Sequence, residues 1–285
     1  MARPLGDAKK AKNDEFYTQL SDIENELRHY KEHFKNKVVY CNCDDPRVSN
    51  FFYYFSYGFG HLGIKKLITT CYKNQERDLF SRHDIERAIM LEYDGSEENV
   101  YIPNPEDIGI IQLEGDGDFR SEECVELLKQ ADIVITNPPF SLFREYVAQL
   151  IEYEKQFIII GNKNAIVYKE IFPLIKNNQL WVGHTPMSND LLFNLPEYFA
   201  EYLIKNKKEG SAYVVVDGTI KGRSQSIWFT NLDHNKRHEE LILYKKYSPE
   251  EYPHYDNYDA IEVGKTKDIP IDWGGVYRSS NYLFG

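Results

Sequence analysis

Apolar positions along this chain follow two rhythms. Short unbroken apolar runs stand at 37–41, 67–72, 133–136 and 157–160, and each reads as a buried strand. Between them the period lengthens. Ile23, Leu27, Tyr30 and Phe34 recur at three- and four-residue spacing, behind a capping box predicted from Ser21 and Glu24. Residues 48–57 are aromatic-rich and read as a helix ending near Gly58 and Gly60. Residues 121–130 form another, with Ser121 as N-cap and Glu122 and Glu123 in the first turn, where the helix dipole favours acids. Leu142, Phe143, Tyr146, Val147, Leu150 and Ile151 make one apolar helical face. The first strand, the 42–46 turn, the helix and the second strand span about 35 residues, one βαβ unit. This alternation implies a mostly parallel sheet with helices on both faces.

Elsewhere the pattern is looser. Residues 73–106 are polar, carry Pro103-Asn104-Pro105, and read as an elaborated connection. An apolar run at 108–113 precedes the turn Gly115-Asp116-Gly117-Asp118. Beyond Gly161, strands expected at 180–182, 213–216 and 227–230 are separated by long polar stretches. A boundary is therefore placed near residue 165. Residues 1–165 form the core, and 166–285 complete the sheet and add a smaller lobe.

At 285 residues and 42% hydrophobic content, the chain has the size of one large α/β domain with a lobe, or of two small domains. It shows no apolar run long enough to cross a bilayer and no signal-peptide core within residues 1–13, so a cytoplasmic protein is expected. Cys41, Cys43, Cys71 and Cys124 are too scattered for a disulfide framework. Cys41-Asn42-Cys43 lacks the second pair a zinc site needs, and no metal is expected. The eight dispersed histidines are assigned no role. A net charge of −11 weighs mildly against a nucleic-acid partner. One basic face would still suffice, because charges are screened over ~8 Å. The 22 tyrosines exceed packing needs and supply amphipathic contact residues.

Chemistry enters at the end of the third strand, where Thr136 leads into Asn137-Pro138-Pro139-Phe140. Open α/β sheets bind ligands at the carboxyl ends of their strands. Two prolines stiffen the chain there, and Pro138 presents a carbonyl. That carbonyl and the Asn137 side-chain oxygen can accept both hydrogens of an exocyclic amine. Held this way, the nitrogen lone pair leaves conjugation and faces an electrophilic methyl. Phe140 is placed to stack on a base taken out of its helix. The bland alternative is a plain turn followed by a core phenylalanine. The strand before the motif and the amphipathic helix after it favour the chemical reading.

The chain resembles the EcoRI-type family of adenine-specific DNA methyltransferases. The resemblance rests on Asp14-Glu15-Phe16-Tyr17-Thr18, on the run from Tyr40 to Pro46 with Ser49-Asn50-Phe51-Phe52, and on Lys66 to Tyr72. It continues through Thr136 to Phe140 and Asn257 to Val263, covering most of the chain. It implies a Rossmann-like class I methyltransferase fold with a smaller recognition lobe. It also implies S-adenosyl-L-methionine as cofactor and double-stranded DNA as substrate. A cognate restriction nuclease is the partner such an enzyme would have, and a monomer its expected state.

The cofactor would lie beside Cys41, Asn42, Asp44, Asp45 and Pro46, a turn without the glycines that cradle phosphates. Asp44 and Asp45 either hold the methionine ammonium or cap the following helix. Phe16, Tyr17 and Thr18 resemble the motif that closes over the methionine end, or start a helix. Asp118 and Phe119 resemble the motif that holds the cofactor adenine, or form an ordinary turn. Thr70, Cys71 and Tyr72 stand where an acid often binds the ribose, so that contact is not assigned. The basic clusters Lys205, Lys207 and Lys208, then Lys221, Arg223 and Gln225, then Lys236 and Arg237 would meet DNA, with Arg223 and Gln225 directed at base edges. Each cluster is otherwise a solvated face.

Two departures stand out: the missing ribose acid, and the last nine residues after Val276, where the family's members run on. Two other functions compete. One is amino-methyl transfer to an RNA base or a glutamine, and the other is an inactive DNA- or cofactor-binding module.

Overall fold

The computed structural model describes residues 18–43, 45–72, 87–95, 103–188, 190–195, 197–210, 212–240, 242–256 and 260–279. The chain forms two compact units, 1–234 and 235–285. In the first, α1 (Leu20–Leu27) precedes β1 (Val38–Cys41), followed by α2 (Asn50–Tyr57), α3 (Phe59–Leu62), β2 (Lys66–Cys71) and β3 (Ile89–Tyr93). Next come α4 (Pro105–Ile108), β4 (Ile111–Gln112), α5 (Glu122–Gln130), β5 (Ile133–Thr136), α6 (Phe143–Glu152) and β6 (Gln156–Asn162). The unit finishes with α7 (Phe172–Lys176), β7 (Trp181–Val182), β8 (Leu191–Asn194), α8 (Glu197–Lys205), β9 (Tyr213–Val216), β10 (Thr219–Ser224) and β11 (Ser226–Thr230).

Eight strands form one sheet in the order β4-β3-β2-β1-β5-β6-β11-β7. Strands β2, β1, β5 and β6 are parallel neighbours. Two reversals on each flank leave only β3 and β11 running against the rest. Alternating residues of the central strands enter opposite cores, as the strand period requires. Val39, Ile133, Ile135, Ile158 and Ile160 pack with Ile23 and Leu27 of α1 and Phe51, Phe52 and Phe55 of α2. Tyr40, Val134 and Ile159 pack on the other face with Leu127 and Leu128 of α5 and Phe143, Tyr146, Val147 and Leu150 of α6. Both faces are thus covered, which is why these strands read as unbroken apolar runs. Each fully buried phenylalanine contributes about 1.5–3 kcal/mol of burial energy.

Several boundaries differ from the sequence reading. Ser21 lies inside α1, whose N-cap is Gln19 without a side-chain bond. The 73–106 connection contains β3, which pairs antiparallel with β2 from Cys71↔Ile89 to Leu67↔Tyr93. The long stretch between β7 and β11 holds a three-stranded antiparallel sheet, β8-β10-β9. Asp217 and Gly218, at φ 49° and 75°, make the two-residue turn between β9 and β10. Leu191 and Phe193 of β8 bury into the core under α1 and α2. This insert leaves the main sheet after β7 and returns at β11, its direct neighbour. The boundary predicted near 165 falls just after β6, inside the first unit.

The second unit pairs β12 (Ala260–Val263) with β13 (Val276–Ser279) in parallel. Its core gathers Tyr252, Ile261, Val263 and Ile269. Among the described residues no helix is long and apolar enough to cross a membrane.

Candidate active site

Strands β1, β2, β5 and β6 end together, so the loops after them share one edge of the sheet. At the end of β5, Asn137 is half-buried with its side-chain oxygen fully buried, and Pro138 is buried. The Pro139 carbonyl accepts the Leu142 N–H at 2.9 Å, closing the 3₁₀ turn Phe140–Leu142 that leads into α6. The Pro138 carbonyl accepts no hydrogen bond among the described residues. Of the two proline carbonyls in the loop, that of Pro139 is thus occupied and that of Pro138 is not. Phe140 is half-buried against the core under α1 and α2.

The loop after β1 is bound to this one. Asn42 is 4% exposed. Its backbone carbonyl accepts the Thr136 hydroxyl, and its side-chain oxygen accepts the Tyr146 hydroxyl. Burial pushes the Tyr146 phenol well above the usual tyrosine range, so it is a neutral donor at physiological pH. Cys43 follows at φ 74°, a left-handed conformation that turns the chain sharply. Asp45 is buried, and Arg47 clasps it with Nε–H bonds of 3.0 and 3.1 Å and an Nη2–H bond of 2.8 Å. The Arg47 N–H also donates to Asp45. Ser49 then caps α2 by accepting the Phe51 and Phe52 amides. Thr18 is tied in from outside. Its carbonyl accepts Asn50 Nδ2 at 2.7 Å, and its hydroxyl is buried without a hydrogen-bond partner among the described residues.

The loop before α5 reaches the same edge. Gly117, at φ 76°, lies so close to the end of β2 that a Cβ there would come within 2.6 Å of the Cys71 carbonyl. Next to it, Arg120 clasps Asp118 through Nε–H at 2.8 Å and Nη2–H at 2.7 Å. That ion pair holds the Asp118 carboxyl below the usual range. Phe119 is buried edge-on against Tyr146, ring centres 5.0 Å apart, and Gln149 of α6 donates to its carbonyl.

A family model described as the adenine-specific methyltransferase EcoRI matches residues 4–279. The chain belongs to the EcoRI family of adenine-specific methyltransferases. It is 50% identical over 274 residues to the type II methyltransferase M.EcoRI of Escherichia coli, an alignment covering 95% of this chain and 82% of that protein. It is 41% identical to the type II methyltransferase M.MpnI of Mycoplasma pneumoniae, covering 94% and 77%. The type II methyltransferase M.MgeORF184P of Mycoplasma genitalium is 38% identical, covering 94% and 78%. The sheet, with six of its eight strands aligned and β11 reversed between β6 and β7, is a class I methyltransferase fold. Methyltransferases of this kind generally draw the methyl group from S-adenosyl-L-methionine, and this family acts on DNA.

For a member of this family, the structure sorts the residues predicted from sequence. Asn137, Pro138, Pro139, Phe140, Cys41, Asn42, Asp45, Pro46 and Thr18 gather around the ends of β1 and β5, and Asp118 and Phe119 stand beside the end of β2. Phe16, Tyr17 and Asp44 lie outside the described residues. Within the insert, Lys205 ends α8, Lys207 and Lys208 follow it, and Lys221 and Arg223 lie on β10. Exposed Gln225 joins β10 to β11, and its carbonyl accepts the Lys163 N–H at 2.8 Å, which brings it to the end of β6. Arg223 donates to Asp190 and to the Gly210 carbonyl, so its guanidinium braces the insert. Asp190 is opposed by burial, yet Lys163 and Arg223 hold its carboxyl below the usual range. Lys236 and Arg237 belong to the second unit.

Sequence reasoning did not anticipate Tyr146, Arg47 or Arg120. The last two had a signal, since Asp45-Pro46-Arg47 and Asp118-Phe119-Arg120 share the spacing that lets an arginine fold back on the acid two residues before it. Among the described residues the cysteines form no disulfide, and no cluster of three or more His, Cys, Asp or Glu could hold a metal.

Proposed function

We propose that this chain transfers a methyl group from S-adenosyl-L-methionine to the N6 amine of an adenine flipped out of double-stranded DNA. It does so within a specific sequence, as the modifying half of a restriction-modification system. The observation that carries the reading is the pair of acceptor oxygens, Asn137 Oδ1 and the Pro138 carbonyl, at the carboxyl end of β5.

These oxygens accept the two amine hydrogens and turn the nitrogen lone pair out of the ring plane. Phe140 stacks on the extruded base. Bound S-adenosyl-L-methionine supplies an electrophilic methyl carbon. The N–C bond would form as the S–C bond breaks, and the methylated amine would release to water a proton made acidic by its new charge. Asn137 and Pro138 would hold the amine hydrogens until one is released, so no strong base is required.

The donor set suits that cofactor. A glycine-free turn fits a ligand without phosphate, and the buried Thr18 hydroxyl is a polar contact for its methionine end. Cys41, Asn42, Asp44, Asp45 and Pro46, with Phe16 and Tyr17, would surround that end, and Asp118 and Phe119 the adenine. Asp45 and Asp118 act there with their arginines attached. They shape and neutralise the loops more than they offer bare charge. Lys205, Lys207, Lys208, Lys221 and Gln225 would face the DNA, phosphates taking the lysines. Lys236 and Arg237 would add phosphate contacts from the second unit. The enzyme would work as a monomer in the cytoplasm beside a nuclease with the same target.

The test offers labelled cofactor with duplex DNA, RNA and protein as acceptors, followed by sequencing of methylated DNA from expressing cells. The expected result is N6-methyladenine at one recurring site. Label entering only RNA or protein would overturn the proposal.

A further inference from the structure

Resting on the reading of the 42–46 turn as the cofactor side of the site, we infer that Tyr146 is a positioning residue that locks this turn to the loop carrying Asn137. The lock has one central piece, Asn42. Thr136, the residue just before Asn137, donates its hydroxyl to the Asn42 carbonyl. Tyr146, on the helix that follows the loop, donates its hydroxyl to the Asn42 side chain. The two groups that flank the catalytic loop therefore grip the same residue at two atoms.

Asn42 is consequently engaged by the protein itself at the oxygen that could otherwise meet a ligand. Its part is to transmit the position of one loop to the other. Tyr146 extends the lock to a third loop, since its ring abuts Phe119, and Gln149 one turn later holds the Phe119 carbonyl at 3.0 Å. One face of α6 thus registers the turn after β1, the catalytic loop and the loop beside the end of β2. All the hydroxyls concerned are fully buried, so water cannot replace a lost bond cheaply.

The alternative is that Tyr146 only satisfies a polar group in the core. A second tyrosine provides the comparison. Tyr30 is equally buried and donates to Glu26 at 2.8 Å, but neither residue touches the three loops. Tyr146→Phe and Tyr30→Phe each remove one buried hydroxyl, the first from a neutral amide and the second from a carboxylate. Calorimetry with S-adenosyl-L-methionine, single-turnover methyl transfer to duplex DNA and thermal melting are measured for both.

Tyr146→Phe is expected to raise the cofactor Kd and lower the transfer rate, each about tenfold, in line with one buried hydrogen bond. Tyr30→Phe should lower Tm alone. Thr136→Val, which keeps the strand's shape, should repeat the Tyr146→Phe pattern and carries the test if Tyr146→Phe does not fold. The double variant should lose less than the product of the two single losses, because both act through Asn42. Wild-type Kd and rate in Tyr146→Phe or Thr136→Val, or fully multiplicative losses, would overturn the inference. Failure of the wild-type protein to bind the cofactor would instead refute the assignment of the turn.

Discussion

Replacing Asn137 by alanine tests the proposed chemistry most directly. The Pro139 carbonyl is closed off by the Leu142 amide, so the proposed mechanism relies on the Asn137 and Pro138 oxygens as the two acceptors, and the substitution removes one of them. A preorganised hydrogen-bond partner of a developing charge is worth about 2.7–4 kcal/mol, or 10²–10³ in rate. Asn137 lies just past β5 and is only half-buried, so the core keeps its packing. Tm should move by no more than about 4 °C. The assay is single-turnover transfer from labelled S-adenosyl-L-methionine into duplex DNA, with cofactor affinity measured separately by calorimetry. The expected outcome is a rate lower by at least about a hundredfold with an unchanged cofactor Kd. A rate within threefold of wild type would refute the two-acceptor mechanism, and a parallel loss of cofactor binding would show that Asn137 supports the fold of the site instead.

Other substitutions probe the surroundings. Phe140→Ala should weaken binding of target DNA by about 1–3 kcal/mol, the worth of one base–aromatic stack, leaving cofactor affinity intact in a filter-binding and calorimetry comparison. Lys207→Ala and Lys221→Ala should each flatten the salt dependence of DNA binding by about one unit of slope if they meet phosphates. Arg223→Ala should instead lower Tm, because it frees Asp190 and the Gly210 carbonyl from a shared brace. Glu26 is fully buried and accepts the Tyr30 hydroxyl and the His184 and Thr185 amides at 2.6–2.8 Å. Glu26→Ala strands three donors and should cost about 3 kcal/mol or more in denaturant titration. Burial also raises the phenols of Tyr40 and Tyr146 well above their ordinary range. Their contribution to stability is fully present below the unfolded tyrosine value of about 10 and is lost as pH rises beyond it. Ultraviolet titration should show these phenols ionising only as circular dichroism reports unfolding, and full ionisation of the intact fold would contradict this.

The legible parts of the sequence are those where one physical rule dominates. Strand β5 could be read to the residue because Ile133, Val134 and Ile135 are β-branched and buried on both faces, and a proline pair forbids continuation. The Ser121 cap of α5 was equally plain, because its hydroxyl does accept the Cys124 amide. Strand β3 was missed because its alternation, with Met90 and Glu92 half-buried, lies inside a polar stretch and gains meaning only once β2 is beside it. Strand β10 was read as a basic cluster, since Lys221 and Arg223 outweigh its short apolar content. At the site, the residue types of the Asn137 loop are what the proposed chemistry rests on. The engagement of Asn42 by Tyr146 was not legible, because a tyrosine in an apolar helical face looks like any core residue until its partner, 104 positions away, is placed against it.

If the insert between β7 and β11 faces DNA as proposed, its attachment bears on how target choice can change. Its two connections enter neighbouring antiparallel strands, and Leu191 and Phe193 anchor it in the core under α1 and α2. The β9–β10 hairpin beyond that anchor adds no strand to the main sheet, so its length can change without moving the register of a central strand. On the proposed function, that hairpin can vary the marked sequence while the Asn137 loop stays fixed. In this chain a chimaera that swaps the insert and preserves Leu191, Phe193, Arg223, Asp190 and Gly210 is the natural unit of exchange.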